Sequence, residues 1–245
     1  MPLLNMLDDT RLITPKKGNP MPLTKPLITL ACLFALTACA QTAAAPAIQA
    51  TEISSRSTGA TMLTTRQQDL ALIGKYTARG DQTALAAALN QALDNGLSVN
   101  EAKDALVQLY AYCGFPRSLN ALTTLMNVTN SRKAQGIATR EGRTATPLPA
   151  DTDILHKGTQ TQTELVGQPV SGALFDFAPD ADRYLKTHLF GDIFASDLLN
   201  WQEREIITIA ALANINGVES QLNAHKAIGK HNGLTDEQLQ AIEAL

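Results

Sequence analysis

The sequence predicts an all-α protein built from two related helical units. Composition favours helices, because Ala and Leu are abundant and aromatic residues make up only 4% of the 245 residues. Apolar residues recur at helical spacing from residue 66 onward, and helix-capping motifs separate the runs. The 44% of hydrophobic residues suffices for a core in one domain or in two small ones.

The first unit is predicted at 66–132, with four helices. A Gly after the second helix is typical of a left-handed helix end, and Ser98 to Glu101 form a capping box before the third. The predicted helices are Arg66–Ala78, a second from the Asp81 cap to Asn95 before Gly96, a third from Ser98 to about Tyr112, and a fourth from Pro116 to about Asn130.

The next segment, 133–174, is polar and rich in Gly and Pro, which predicts a long linker or loop. The second unit is predicted at 175–245. Its helices are expected from Asp180 or Asp182 to about Leu189, from the Asn200–Glu203 capping box to Asn214, from Glu219 to Asn232 before Gly233, and after the Thr235–Gln238 capping box.

The two units repeat at a shift of 137 residues. Asn95-Gly96-Leu97-Ser98 then falls on Asn232-Gly233-Leu234-Thr235, and Gly80 falls on Gly217. Two copies of one supersecondary unit usually pack about a pseudo-twofold axis. The copies differ at one position that matters for chemistry, since His225 of the second unit corresponds to Ala88 of the first.

The N-terminus is expected to carry a leader and a signal peptide over 1–38, with translation starting at Met21. Lys25 supplies a positive charge, and the apolar run Leu27–Ala38 is too short to cross a bilayer. The run ends in Leu36-Thr37-Ala38-Cys39, which resembles a bacterial lipobox. Two alternatives stay open: an ordinary secretory signal, or an apolar helix with an accidental cysteine.

Lipidation of Cys39 would give a stable membrane anchor. Cys32 fits less well, because Thr29 stands where Leu is usual. Ala40, rather than Asp, follows the lipidated cysteine and favours the outer membrane of the cell envelope over the inner one. Residues 39–65 are rich in Ala, Thr and Ser, which is typical of a flexible tether.

Charge and motif content exclude several classes of function. The net charge is −3, and residues 1–38 hold four basic and two acidic side chains, so the remainder is near −5. No basic stripe interleaved with aromatics is present, and no nucleic acid partner is expected. The four histidines are scattered without ligand spacing, and no phosphate-binding Gly motif occurs. Neither a metal nor a cofactor is therefore expected.

Four segments resemble the carboxymuconolactone decarboxylase family, which includes alkylhydroperoxidases of the AhpD type. The resemblance spans most of 66–130 and 175–245 and implies an all-α helical bundle that assembles as a homo-oligomer, a trimer or hexamer. The segments are Phe190-Gly191-Asp192-Ile193-Phe194, Arg204–Leu212, Gln221–His225 with the Gly233-Leu234-Thr235 turn, and Tyr112-Cys113-Gly114-Phe115-Pro116.

The resemblance bears on two chemistries. AhpD-type members use a cysteine pair just before the histidine, but Val218 and Gln221 occupy those positions here. Cys113 would be the remaining thiol once Cys39 is lipidated, and one thiol cannot close an intramolecular disulfide. A thiol peroxidase is therefore not expected. Cys113 is then a small buried hydrophobe or a lone reactive thiol.

The decarboxylase branch acts on a small carboxylate or lactone and needs a general acid–base group. The resemblance assigns that role to His225, because histidine titrates near neutral pH. Gln221 lies one helical turn before it and can orient the ring or bind substrate. The alternative is a hydrogen-bonded, purely structural His225.

Four further residues are candidate substrate ligands. Arg117 follows a Gly-Phe-Pro turn at a helix N-terminus, where anions are favoured, and Tyr112 can donate its hydroxyl into the same pocket. Arg204 can hold a carboxylate, and His188 can line the pocket. Each also has a structural interpretation as a solvated charge, a core side chain or a helix-end histidine.

Six of the eleven aromatic residues lie between Phe175 and Trp201, which suggests either a pocket wall or a local core. The sequence thus supports two main hypotheses. One is an envelope-anchored decarboxylase-like enzyme, and the other is a non-catalytic oligomeric binding or structural lipoprotein of the same fold. Sequence alone names no substrate.

Overall fold

The computed structural model describes residues 62–245, so Met21, Cys39 and most of the tether lie outside the described residues. The described part contains helices and no strand, which confirms the predicted all-α fold. Its elements are α1 (Thr65–Arg79), α2 (Gln82–Asp94), α3 (Val99–Gln108), α4 (Tyr110–Ala134), α5 (Ile154–Val166), α6 (Ala173–Phe177), α7 (Pro179–Tyr184), a π-helix (Leu185–Ile193), α8 (Trp201–Leu212), α9 (Glu219–His231) and α10 (Asp236–Ala244).

Helix starts follow the predicted caps. The side chains of Ser98, Asn200 and Thr235 each accept the N–H three residues on, and the side chain at that position bonds back to the cap residue, so all three predicted capping boxes are confirmed. Asp81 caps α2 through the N–H of Ala84, and Gly96 follows α2 with a φ of 97°.

The third and fourth helices differ from the prediction in their junction. Helix α3 ends at Gln108 instead of near Tyr112, and a first turn of α4 begins at Tyr110. Gly114, with φ 80° and ψ 157°, breaks the helical path just before Pro116. The predicted start at Pro116 therefore lies just after a kink inside one longer element. The break is at Gly114, whose positive φ glycine adopts without strain, and Pro116, which has no N–H to donate, follows it in the next turn.

The predicted linker 133–174 contains helix α5, which the sequence pattern did not indicate. Asp153 caps its start and Gly167, with φ 83°, ends it. Its buried face consists of Gly158, Thr161, Gln162 and Leu165. A buried face with only one large apolar side chain leaves little hydrophobic periodicity, which explains why composition suggested a loop.

The helix predicted from Asp180 or Asp182 to Leu189 is α7 followed by the wider π-helix. The π-helix packs on α5 through two glycines. A Cβ on Gly158 would overlap the carbonyl oxygen of Lys186, and one on Gly191 would lie 2.8 Å from the carbonyl oxygen of Ile154. Backbones can approach this closely only where no side chain intervenes.

Two apolar clusters hold the described residues together. The larger joins α1–α4 to α8 and α10, with helix α1 lying along α8 so closely that a Cβ on Gly74 would meet the backbone carbonyl of Ile207. The smaller joins α5 to the π-helix around Leu165, Phe190 and Phe194. Among the helices of residues 62–245, none is both long and apolar enough to cross a membrane.

Candidate active site

Helix α8 is the most deeply buried element of the described chain, and it carries the charged centre of the site. The Asn200–Glu203 capping box starts it, and every residue from Arg204 to Leu212 is buried. Most of these residues are apolar, so two adjacent ionisable side chains at Arg204 and Glu205 stand out. Buried charges are rare unless they are paired.

Glu205 is paired with His225 of helix α9. Its Oε2 lies 2.8 Å from Nδ1 of His225. The glutamate side chain is fully buried and the histidine side chain is 13% exposed. When Glu205 is ionised it only accepts hydrogen bonds, so Nδ1 then carries the shared proton, and Nε2 is the acceptor of the neutral ring. Nε2 has no hydrogen-bond partner in the described part of the chain.

Tyr112 brings a third polar group to the pair. Its ring meets the His225 ring edge-on, with 5.2 Å between centroids. The hydroxyl is buried close to the Thr208 side chain but forms no hydrogen bond of good geometry within residues 62–245, and Oε1 of Glu205 has no partner there. Burial raises the pKa of Tyr112, and the nearby Glu205 charge raises it further, so the phenol stays a neutral donor.

Arg204 belongs to a separate internal network. Its guanidinium donates to Asp104 (2.7 Å), to Gln108 (2.9 Å) and to the carbonyl of Ser196 (2.8 Å). The Gln108 amide in turn donates to Thr208 and to the carbonyl of Arg204. The side chain is fully buried, so its fork of donors serves α3 and the segment before α8 and does not face an open pocket.

Three other sequence candidates lie apart from this cluster. Arg117 is exposed on α4. His188 is exposed on the π-helix, where Nδ1 contacts Asp192 at 2.8 Å. Gln221 is exposed and accepts a hydrogen bond from Ser220, so Glu205, not Gln221, bonds the His225 ring. Of the predicted site residues, the structure brings together His225 and Tyr112.

Glu205 was absent from the candidates because Glu203 and Glu205 both suit the start of a helix. The one signal in the sequence was its position, directly before a run of isoleucines that must be buried. Asp104 and Gln108 were missed as well. They lie on α3, and only the packing of α3 against α8 reveals their contact with Arg204.

Cys113 is a half-buried thiol in the first turn of α4. Its Sγ donates to the carbonyl of Leu109 at 3.1 Å. Burial raises the pKa of Cys113 to about 11, although Arg117 acts in the opposite direction. Because the thiolate is the nucleophile, a thiol with so high a pKa is poorly reactive at neutral pH.

The aromatic residues between Phe175 and Trp201 divide into two groups. Phe190 and Phe194 are buried and contact each other edge to face at 5.4 Å, and Tyr112 and Trp201 pack against their cluster. Phe177 is 88% exposed. The local-core interpretation therefore holds for the first group, and Phe194 also lines a surface cleft.

Within residues 62–245, no group of three or more His, Cys, Asp or Glu side chains is placed to hold a metal ion. The side chains of the Tyr112–Glu205–His225 cluster are a phenol, a carboxylate and an imidazole.

The part of the chain that carries Glu205 and His225 matches a known protein family. Residues 179–245 match the model of the carboxymuconolactone decarboxylase family. The matched segment contains Glu205 and His225, whereas Tyr112 lies before it. No curated protein matches the chain. The family resemblance is thereby supported for the C-terminal part of the chain, which supplies α8 and α9.

Proposed function

We propose that this protein is a carboxymuconolactone decarboxylase-like enzyme that performs acid–base chemistry on a small carboxylate or lactone. The observation that carries the proposal is the Glu205–His225 pair, with Nδ1 held at 2.8 Å and Nε2 left without a protein partner. A histidine held by a buried carboxylate through one nitrogen is oriented to exchange a proton through the other.

Each group has a role in this proposal. Loss of CO2 from the substrate breaks a C–C bond and leaves the electron pair on the substrate, where a conjugated carbonyl can take it up as an enolate. The Tyr112 hydroxyl donates to the enolate oxygen. Nε2 of His225, an acceptor in the neutral ring, takes up a proton from solvent to give the imidazolium and then delivers that proton to carbon, which returns the ring to its neutral form. Glu205 is the counter-ion of the imidazolium and fixes its orientation.

The experiment is a turnover assay on a panel of small lactone carboxylates, followed by CO2 release. His225→Gln and Glu205→Gln should each lower turnover by about 100- to 10,000-fold, the usual contribution of an acid–base group. The double variant should be little worse than either single one, because the two residues act as a unit.

His188→Gln is the matched control. It breaks another histidine–carboxylate contact of 2.8 Å, but on an exposed face. Its turnover should equal that of the wild type. Additive losses in the Glu205/His225 double variant, or an equal loss in the control, would contradict the proposal.

A non-catalytic role is the second candidate, favoured by the low exposure of both side chains of the pair. Replacing a buried ion pair by apolar residues of similar size often stabilises a protein. If the Glu205→Leu/His225→Leu variant is more stable and the wild type turns over none of the panel, the pair is structural and the scaffold hypothesis gains.

The tandem arrangement, the oligomer and the anchor are further parts of the proposal. Helices α1–α3 and α8–α10 recur in the same order, and Arg66 contacts Glu203, its equivalent at a shift of 137 residues.

Exposed apolar side chains on α4, at Phe115, Leu119 and Met126, offer a surface for a homo-oligomer. The lipid anchor at Cys39 would hold the protein in the cell envelope.

A further inference from the structure

A surface cleft of about 600 Å³ lies between α5 and the start of α8. This volume is within the range of small-ligand sites. None of Tyr112, Glu205 and His225 lines it, so ligand binding in this cleft is independent of the proposed function. Its walls combine aromatic rings with amide, hydroxyl and amino groups, chiefly Lys157, Thr161, Phe194, Asn200, Trp201 and Gln202.

Helix α5 contributes two polar side chains to the cleft. Lys157 and Thr161 are four residues apart, so they share one helix face. Thr161 is only 2% exposed, and its hydroxyl is buried with no hydrogen-bond partner among residues 62–245. An unpaired buried hydroxyl is costly, and a native structure usually retains one where a water or ligand satisfies it.

Lys157 supplies positive charge at the same face. The side chain is half-buried, and within the described residues its amino group forms neither an ion pair nor a hydrogen bond. Most other lysines of the described part do have acidic partners, for example Lys186 with Asp182 and Lys226 with Glu243. The charge of Lys157 is therefore free to attract an anion.

The opposite wall is the N-terminus of α8, a helix of 12 residues. The Asn200 side chain accepts the N–H of Glu203, and Glu203 already places one acidic side chain in this first turn. The N–H groups of Trp201 and Gln202 have no partner among residues 62–245, and they and the helix dipole favour negative charge here. Trp201, the first residue of this helix, lines the cleft together with Phe194. Aromatic rings of this kind pack against the apolar part of a ligand.

Asp197 is the one acidic side chain lining the cleft. Arg143 donates to it at 2.9 Å, and the N–H and hydroxyl of Thr146 donate at 3.0 and 2.8 Å. These bonds, that of Arg143 first, hold the pKa of Asp197 well below its usual range. The Asp197 carboxylate stays ionised, and its hydrogen bonds from Arg143 and Thr146 neutralise part of its charge. The remaining charge repels a doubly charged anion more strongly than a singly charged one.

We propose that this cleft is a second binding site, for a small monocarboxylate with an apolar body. The carboxylate lies between Lys157, the Thr161 hydroxyl and the start of α8, and the apolar body packs against Trp201 and Phe194.

Trp201 makes the proposal directly measurable, because it is the one tryptophan of the 245-residue sequence. Cyclohexanecarboxylate is a suitable probe, since it does not absorb where tryptophan is excited. Titration into the full chain should change the Trp201 emission saturably in the millimolar range. Cyclohexylmethanol, which has the same ring without the charge, should bind at least about tenfold more weakly, because charge-assisted hydrogen bonds are the stronger ones.

Two variants test the assignment. Lys157→Gln and Thr161→Val should each weaken cyclohexanecarboxylate binding, the first by about tenfold, without lowering the melting temperature. Lys133→Gln, the same change on an exposed lysine of α4, should leave binding unchanged. An absence of saturable emission change in the wild type, equal binding of the neutral analogue, or equal loss in the Lys133 variant would each overturn the proposal.

Discussion

Glu205 and His225 lie twenty residues apart on neighbouring helices, and each has a side-chain atom without a hydrogen-bond partner among residues 62–245. The glutamate is fully buried, with Oε1 unpaired among the described residues. The histidine has one ring nitrogen held and the other without a protein partner. Leaving buried polar atoms unsatisfied costs stability, and such atoms concentrate where a ligand or water completes the site.

The Tyr112→Phe variant distinguishes the effect of the hydroxyl on stability from its effect on turnover. Removing a buried hydroxyl without a partner should raise the free energy of unfolding by about 1 kcal/mol. If the hydroxyl stabilises an enolate, turnover should fall by about 100-fold. Urea unfolding and the turnover assay give the two values.

Tyr110→Phe is the matched control for this prediction. The Tyr110 hydroxyl is also buried without a partner in the described region, but its ring stacks on Phe115, with centroids 4.2 Å apart. This variant should gain similar stability and keep full turnover. Loss of turnover in both variants, or in neither, would remove Tyr112 from the site.

How much of the site was predictable depended on the residue. His225 and Tyr112 became candidates because they lie in motif segments and their side chains can transfer or donate a proton. Glu205 also lies in a motif segment, Arg204–Leu212, but its contact with His225 depends on the packing of α9 over α8, which no local pattern encodes. The sequence predicts that Arg204 is free to bind a carboxylate, whereas in the structure its guanidinium donates hydrogen bonds to Asp104 and Gln108.

At the scale of elements, the sequence predicts correctly those helix starts that depend on hydrogen bonds between residues close in the chain. The capping boxes at Ser98, Asn200 and Thr235 start helices as expected, because their hydrogen bonds lie within four residues. The sequence did not predict α5, whose burial depends on a glycine contact with the π-helix. It predicted one regular helix where the chain forms α7 followed by the wider π-helix. Contacts between elements distant in sequence leave no such signature.

Gly158→Ala tests the contact between α5 and the π-helix. The added methyl group would meet the Lys186 carbonyl, which is backbone and cannot rotate away. The free energy of unfolding should fall by about 1–3 kcal/mol, as expected for overpacking. Gln160→Ala, at an exposed position of the same helix, should change it by no more than about 0.5 kcal/mol. Equal, small effects would show that the two backbones can separate freely.

At the scale of the whole molecule, the chain is proposed to join an envelope anchor to a helical domain. Cys39→Ser should abolish incorporation of labelled palmitate and release the protein from the membrane fraction, because acyl chains supply the binding energy. Cys113→Ser, which removes the thiol of the helical domain, should keep both label and membrane association. Label retained in the Cys39 variant would refute the anchor.

The protonation pattern of the His225 ring tests the central claim most directly, and it needs no substrate. Nitrogen-15 NMR of the two ring nitrogens, recorded where the ring is neutral, distinguishes its tautomers. The account predicts a protonated Nδ1 and an unprotonated Nε2, with this preference lost in Glu205→Leu, which removes the acceptor for Nδ1. A neutral ring protonated at Nε2 in the wild type, or a pattern unchanged by the Glu205 substitution, would contradict the claim that Glu205 orients His225 for proton transfer.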